Sequence, residues 1–184
     1  MEIKKLHEDV YEIKNFLTAE ELKGVYDIID STKEEDWGLQ TNDTSDFWYG
    51  KNLEFKTENV FDIVNEKMKN LLESFHYYPS KMILQRYKIG DHIQPHRDQW
   101  IPDLPYYIGY GFCLYYNDDY EGGELEYPEI GLKIKPDANS LYIHGGNVLH
   151  GSTPVLNDRI RYFSTVFVRG TDQEPTILKK ELFK

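Results

Sequence analysis

The run IRYFSTVFVRG, residues 160–170, is the longest of six short segments after Pro79 that are rich in β-branched and aromatic residues. Such residues favour strands, and Gly, Pro, Asn or Asp separates the segments from one another. The other five are KMILQRYKI (81–89), YGFCLYYN (110–117), GELEYP (123–128), LKIKP (132–136) and SLYIHG (140–145). This pattern predicts an antiparallel sandwich or barrel in the second half of the chain.

Two amphipathic helices are predicted ahead of these strands. The first covers residues 16–32, where Thr18 and Glu21 have the spacing of a capping box and apolar residues recur at helical intervals. The second covers residues 58–75, whose apolar side chains also share one helical face. Residues 33–56 are predicted as a loop with a short strand. The expected fold class is therefore α+β, mainly β, with both helices packed on one sheet.

The length of 184 residues suits a single domain, residues 1–184. Within it we expect a helical N-terminal support region at 1–78, a β core at 79–170 and a C-terminal tail at 171–184. Lys and Arg total 21 against 32 for Asp and Glu, which gives a net charge of −11. Because this charge repels phosphate backbones and anionic lipid, neither nucleic acid nor a membrane is an expected partner.

The single cysteine, Cys113, cannot form a disulfide within the chain, and its apolar neighbours predict a buried thiol. No stretch has the apolar length of a membrane span or the pattern of a secretion signal. The expected location is therefore the reducing cytoplasm, while the sequence leaves the oligomeric state open.

A histidine and an aspartate stand two residues apart in HRDQW, residues 96–100. On an extended segment such residues share a face, so His96 and Asp98 can direct an imidazole and a carboxylate to one point. His150 is the best candidate for a third ligand, because it ends the run NVLH ahead of a turn that leads into the next strand. Two imidazoles and a carboxylate suit non-haem Fe(II) with open coordination positions, although three protein ligands and a water would also make a catalytic zinc site.

Four motifs in order resemble the Fe(II)- and 2-oxoglutarate-dependent dioxygenases, most closely the prolyl 4-hydroxylase branch. They are FLTAEEL (16–22), RYKIGDHIQPHRD (86–98), CLYYNDDYEGGELEYPE (113–129) and LHGSTPVLNDRIRYFSTVFV (149–168). The resemblance implies a double-stranded β-helix, which is a cupin-like jelly-roll of two packed sheets with the metal at its mouth. By motif position, it also implies that His96, Asp98 and His150 are both the metal ligands and the catalytic residues.

The resemblance further implies a basic residue that binds the far carboxylate of 2-oxoglutarate. Arg159 and Arg161 both qualify, and as residues i and i+2 on a strand they are expected to share a face. A guanidinium suits the task because its fork binds both carboxylate oxygens. Arg161 is preferred because Thr165 and Phe167 follow it at the family's spacings, but it lies slightly farther from His150 than is usual, so Arg159 stays as the alternative. Tyr115 matches the tyrosine expected at the same carboxylate. Tyr87 matches a more variable pocket tyrosine, and Thr165 completes the co-substrate set.

The implied activity is hydroxylation that uses Fe(II), 2-oxoglutarate and O2, with ascorbate as an optional further cofactor. The expected substrate is a prolyl residue in a peptide or protein partner. A free amino acid, another small molecule, or a metal-binding jelly-roll without enzymatic activity are the alternatives. His92 and His144 match no motif position and are interpreted as structural or as outer partners of the ligands. Residues 99–111 are interpreted as a loop beside the mouth of the site.

Overall fold

The computed structural model describes residues 2–39, 51–54, 59–74, 83–98, 107–171 and 175–183. The helices within these ranges are α1 (Ala19–Ser31) and α2 (Asn59–Lys69), with short 3-10 turns at Glu34–Asp36 and Pro128–Ile130. The strands are β1 (Glu2–His7), β2 (Val10–Lys14), β3 (Gly38–Leu39), β4 (Lys51–Glu54), β5 (Leu72–Ser74), β6 (Ile83–Tyr87), β7 (Ile93–His96), β8 (Tyr107–Tyr115), β9 (Leu125–Tyr127), β10 (Leu132–Ile134), β11 (Ser140–Gly145), β12 (His150–Ser152), β13 (Arg161–Gly170) and β14 (Ile177–Leu178).

These strands form two principal antiparallel sheets. The larger has eight strands in the order β1-β2-β11-β8-β13-β6-β4-β3, and the smaller has four in the order β10-β9-β12-β7. Together they make the jelly-roll that the sequence predicts, and the fold class of α+β, mainly β, is confirmed. A third sheet consists only of β5 and β14.

Alternation along β8 separates the two cores of the molecule. Phe112 and Leu114 point away from the smaller sheet and belong to the apolar cluster that α1 and α2 cover. Cys113 and Tyr115 point the other way, into a second cluster between the two sheets. Because β8 is central in its sheet, it has a buried layer on each side, and the space between the sheets is where a site can form.

The predicted capping box begins α1. The Thr18 hydroxyl accepts a hydrogen bond from the Glu21 amide at 3.2 Å, and the Glu21 carboxylate accepts one from the Thr18 amide at 2.7 Å. The same carboxylate forms an ion pair with Lys67 of α2, which joins the two helices. Both helices pack on the larger sheet, as predicted. Among the described residues, no helix has the length and apolar character needed to cross a bilayer.

The first 78 residues contain more strand than the sequence predicts. The hairpin of β1 and β2 extends the larger sheet beside β11, through pairs such as Ile13 with Leu141. Residues 33–56 supply β3 and β4 at the opposite edge. Of these strands, β2 and β4 join the sheet through β11 and β6, which are far away in sequence, so local periodicity does not reveal them.

The second predicted helix is too long. It ends at Lys69, and Leu72–Ser74 leaves the helix to pair with β14 from the expected C-terminal tail. Pairing with a distant strand has therefore overridden the helical spacing of Leu72. Phe75, the last residue of the predicted helix, lies outside the described residues.

Replacing Thr18 with Ala tests the capping box. Removal of a side-chain cap costs about 1 kcal/mol of the free energy of unfolding, within a range of about 0.5–2. Ser31→Ala at the other end of α1 is the matched control and should change stability by less than about 0.5 kcal/mol. Urea denaturation followed by circular dichroism measures both. Equal stabilities for Thr18→Ala and the parent chain would contradict the role of the cap.

Candidate metal centre

Strand pairing brings the two histidines of the predicted triad together. His96 ends β7 and His150 begins β12, and the two are direct partners in the antiparallel register. Their ring centroids are 4.5 Å apart. Asp98 lies in the turn just beyond β7, and the ligand atoms of all three side chains lie within 4.8 Å of one another. The structure thus gathers the three side chains around one point.

Local backbone contacts orient both imidazoles in the same way. Nδ1 of His96 lies 2.9 Å from the Gln94 carbonyl oxygen, and Nδ1 of His150 lies 2.9 Å from the Val148 carbonyl oxygen. A carbonyl can only accept, so each contact favours the tautomer with the proton on Nδ1 and the lone pair on Nε2. Both rings can therefore offer Nε2 to the same ion.

Asp98 is the electrostatic centre of the group. Its carboxylate oxygens lie 3.4 Å from Nε2 of His96, 3.2 Å from Nε2 of His144 and 3.7 Å from Nε2 of His150. Burial by itself would raise the pKa of Asp98, but the hydrogen bonds from His144 and His96 outweigh it and hold that pKa below its usual range. The carboxyl group is therefore ionised at neutral pH.

The two predicted imidazole ligands differ in their electrostatics. The pKa of His150 is lowered to about 3, mainly because the ring is buried and also because His144 lies nearby. The ring of His150 is therefore neutral at physiological pH. Burial would also lower the pKa of His96, but the hydrogen bond with Asp98 and the contact with the Gln94 carbonyl raise it above the usual value. A neutral imidazole is the form that binds a metal.

Arg161 extends into the same cavity from β13. Its side chain is buried, with only 1% of the residue exposed, and its guanidinium carbon lies 4.6, 4.9 and 5.3 Å from the ring centroids of Phe163, Tyr115 and Tyr87. Nη2 donates to the Tyr115 hydroxyl at 2.9 Å and Nη1 to the Ser152 hydroxyl at 3.4 Å. An aromatic cage with two hydroxyl partners therefore holds the cation.

No acidic side chain among the described residues forms an ion pair with Arg161, and its Nε lacks a hydrogen-bond partner there. Burial would lower the pKa of Arg161, but the surrounding tyrosine hydroxyls raise it, and Tyr115 has the largest effect among them. The guanidinium therefore stays charged. A buried charge without a counter-ion is costly. The cavity consequently offers a fixed positive charge to an anionic ligand.

The two candidate arginines occupy different places. Strand β13 begins at Arg161, so Arg159 lies in the preceding bend rather than on the same strand face, which corrects the expectation that the two share a face. Arg159 is exposed and lines an outer groove with Asp118 and Asp158. It does not reach the cavity of the histidines.

Other predicted residues also line the central cavity. Tyr87, Tyr115 and Thr165 all contribute to its wall, and the Thr165 hydroxyl donates to the Gln85 side-chain oxygen at 3.3 Å. Cys113 faces the cavity as a half-buried residue, and burial raises the pKa of its thiol to about 12. Alternation along β8 directs it to the cavity, because residues 113 and 115 share the inner face.

The two remaining histidines near the motifs have different surroundings. His92 does not line the cavity, and its Nδ1 contacts the Gly90 carbonyl oxygen at 2.9 Å. His144 is completely buried, lines the cavity and contacts Asp98. Of the expected loop at 99–111, residues 107–111 belong to β8, while 99–106 lie outside the described residues.

Sequence reasoning did not identify Ser152 as part of the site. The signal was present, since Ser152 lies two residues after His150 and a strand directs both side chains to the same side. Gln85 was missed in the same way, two residues before Tyr87 on β6. In both cases the missed residue lies two positions from a predicted site residue on the same strand. Because side chains alternate between the two faces of a strand, it could have been predicted to face the site.

The solved structures that share this fold include prolyl hydroxylases. No family model and no curated protein matches the chain. The viral collagen prolyl hydroxylase of Paramecium Bursaria Chlorella virus-1, in its 2-oxoglutarate complex, is 16% identical with a TM-score of 0.68 over 88% of this chain and 96% of that one. A prolyl-4-hydroxylase of Pseudomonas putida is 18% identical with a TM-score of 0.69, over 88% of this chain and 92% of that one.

A prolyl hydroxylase of Trichoplax adhaerens, in complex with a peptide fragment of the hypoxia inducible factor oxygen degradation domain, is 14% identical. Its TM-score is 0.70, and the match covers 95% of this chain and 86% of that one. The resemblance predicted from the motifs is thus confirmed at the level of the fold. This chain has the jelly-roll fold of the prolyl hydroxylases.

Proposed function

We propose that this chain is an Fe(II)- and 2-oxoglutarate-dependent dioxygenase that hydroxylates a prolyl residue in a peptide or protein. One observation carries the proposal. A buried arginine without an acidic partner among the described residues shares a cavity with two histidines and an aspartate that can bind a metal. A metal site that was only structural would have no need of such a cation.

The donor set fits a ferrous ion. Two imidazoles bound through Nε2 and one ionised carboxylate are the ligands of non-haem Fe(II) sites with open coordination positions. His150 is already neutral, whereas His96 would give up the Nε2 proton that it shares with Asp98 when the metal binds. The part of the chain that the structure describes offers no thiolate to this group, since Cys113 is not a member of it. His96, Asp98 and His150 would therefore hold the metal.

Arg161 fits the co-substrate. A guanidinium fork binds both oxygens of a carboxylate, and such charge-assisted hydrogen bonds are stronger in a dry site. The Tyr115 and Ser152 hydroxyls, which contact two nitrogens of the guanidinium, fix its orientation. A dicarboxylate bound by Arg161 at one end would direct its other end toward the triad, because both lie in one cavity.

When bound, Fe(II) supplies the activation of dioxygen that the side chains of this protein cannot provide. The overall reaction converts 2-oxoglutarate, O2 and a C–H bond into succinate, CO2 and an alcohol. The protein binds and orients the reactants, and apolar side chains of the cavity wall, including Ile93, Leu125 and Phe163, restrict the entry of water. Ascorbate stays a prediction from the motif resemblance.

Two findings support a prolyl substrate. The motif order is closest to the prolyl 4-hydroxylase branch, and solved structures that share the fold include prolyl hydroxylases, one of them bound to a peptide. A free amino acid or another small molecule would use the same metal and co-substrate sites, so the choice of substrate is tested separately from the chemistry.

Removal of any triad side chain should abolish metal binding. We expect the purified chain to take up stoichiometric Fe(II) under anaerobic conditions, as measured by iron assay after gel filtration. His96→Ala, Asp98→Ala and His150→Ala should each lose more affinity than the about 10–100-fold that removal of an outer partner costs. His92→Ala is the matched control and should bind as the parent does. Full Fe(II) uptake by His150→Ala would refute this ligand set.

Arg161→Met should weaken 2-oxoglutarate binding. Hydrogen bonds to charged groups are worth about 1.5–3 kcal/mol, so we expect the half-saturating concentration to rise at least about tenfold. The measurements are the visible charge-transfer band of the anaerobic Fe(II) complex and the succinate formed after air is admitted. Arg159→Met is the control and should match the parent. The reverse result would transfer the role to Arg159, and a parent chain with neither band nor succinate would remove the enzymatic function.

A proline-containing peptide library tests the substrate. Mass spectrometry should detect the mass gain of a single oxygen atom on a proline when Fe(II), 2-oxoglutarate and air are all present. The same peptides with proline replaced by alanine, and the His150→Ala chain, should show none. Succinate formation without any modified proline would keep the oxygenase chemistry and reject the prolyl substrate.

A further inference from the structure

We propose that His144 is a positioning residue that holds the Asp98 carboxylate in the orientation needed for metal binding; this inference rests on the metal site proposed above. His144 is fully buried and forms part of the cavity wall. Its Nε2 lies 3.2 Å from Oδ2 of Asp98, and its ring centroid lies 3.8 Å from that of His150. One side chain thus contacts two of the three candidate ligands.

The hydrogen-bond chemistry of this contact is directional. An ionised carboxylate can only accept, so the proton of the imidazole lies on Nε2 of His144. Its Nδ1 is buried and has no hydrogen-bond partner in the described part of the chain. His144 therefore acts here as a single N–H donor toward Asp98.

The two oxygens of Asp98 have different neighbours. Oδ2 lies 3.2 Å from Nε2 of His144 and 3.7 Å from Nε2 of His150, whereas Oδ1 lies 3.4 Å from Nε2 of His96. A carboxylate held through Oδ2 can offer Oδ1 as a single ligand atom. A carboxylate that rotates could instead present both oxygens and fill a position needed by the co-substrate.

The neighbouring strand makes room for this pair. His144 on β11 is the direct partner of Gly111 on β8. A Cβ atom at Gly111 would lie 2.5 Å from Nε2 of His144 and 2.6 Å from Oδ2 of Asp98. Any side chain at position 111 would therefore displace the two atoms that form the hydrogen bond. The absence of a side chain there is explained by the contact rather than by a turn, because Gly111 lies within a regular strand.

Three features of the chain therefore converge on one interaction. The donor His144 lies on β11, and the acceptor Asp98 lies in the turn after β7. Gly111 on β8 leaves the space that their hydrogen bond occupies. Supporting hydrogen bonds of this kind tune a metal site, and their loss typically costs 10–100-fold in metal affinity. A hydrophobic residue at position 144 could fill the space but could not hold Oδ2.

Co(II) binding to the apoprotein tests this role without any measurement of catalysis. The dissociation constant is obtained from the visible absorption of bound Co(II), and circular dichroism checks the fold of each variant. His144→Leu should weaken binding by about 10–100-fold. His144→Gln should recover most of the lost affinity, because the glutamine amide can donate from nearly the same place as Nε2. Recovery by Gln separates a donor from a residue that only fills space.

Gly111→Ala is an independent variant that keeps His144 and disturbs its contact. It should also weaken Co(II) binding, whereas Gly109→Ala on the same strand, whose added Cβ would meet Thr176 at 3.2 Å, should bind as the parent does. If His144→Leu does not fold, His144→Phe, which keeps a ring of similar size without a donor, is compared with His144→Gln in its place.

The outcomes separate this inference from the proposed function. A parent chain that binds no Co(II) would overturn both the metal site and the role of His144. Tight Co(II) binding by the parent and equally by His144→Leu would overturn the role of His144 alone. Equal losses in His144→Leu and His144→Gln would also reject it, because the donor would then be irrelevant.

Discussion

The candidate site depends on the pairing of β7 with β12, which opposes His96 and His150. Each imidazole is oriented by a carbonyl only two residues earlier in the chain, so the ring directions are set locally. The distance between the rings is set by the strand register. A shift of that register by one residue would turn one histidine to the opposite face of the sheet. The smaller sheet is thus the frame of the metal centre.

The larger sheet supplies the positive charge. Arg161 at the start of β13 is surrounded by rings that attract its guanidinium and by hydroxyls that accept from it. Cation–π contacts are worth about 0.5–2 kcal/mol and increase with desolvation. This environment reduces the cost of burying the cation without neutralising it. An anion that enters the cavity therefore meets a charge already desolvated and oriented, which lowers the entropic cost of binding.

The smaller sheet positions the metal ligands and the larger sheet supplies the cation, and the sequence predicts these two parts of the site to different extents. The order of the motifs and the two-residue spacing of His96 and Asp98 were enough to single out the side chains that the structure brings together. Short strands separated by turn residues predicted an antiparallel sandwich or barrel, and the resemblance of the motifs implied the jelly-roll. Arg161 could be preferred over Arg159 only by the residues that follow it, because the start of β13 is not visible in the local sequence.

The remaining features depend on contacts between distant parts of the chain. Neither the pairing of β2 with β11 nor that of β5 with β14 has a local signal. The contact of His144 with Asp98 likewise required the strand register, which also explains Gly111. Sequence reasoning therefore identified the reactive groups better than the groups that support them.

The pairing of β2 with β11 has a consequence for how the protein is made and handled. The residues of β11 are almost all buried, and the Tyr142 hydroxyl on that strand donates to the Glu12 carboxylate at 2.6 Å in the interior. The partner of β11 is translated first and must wait for most of the chain before it can pair, so the contact order is high and slow folding is expected. Until then β2, whose residues are almost all buried in the folded protein, lacks this partner along one edge, and an unpaired strand edge is the kind of surface from which aggregation begins.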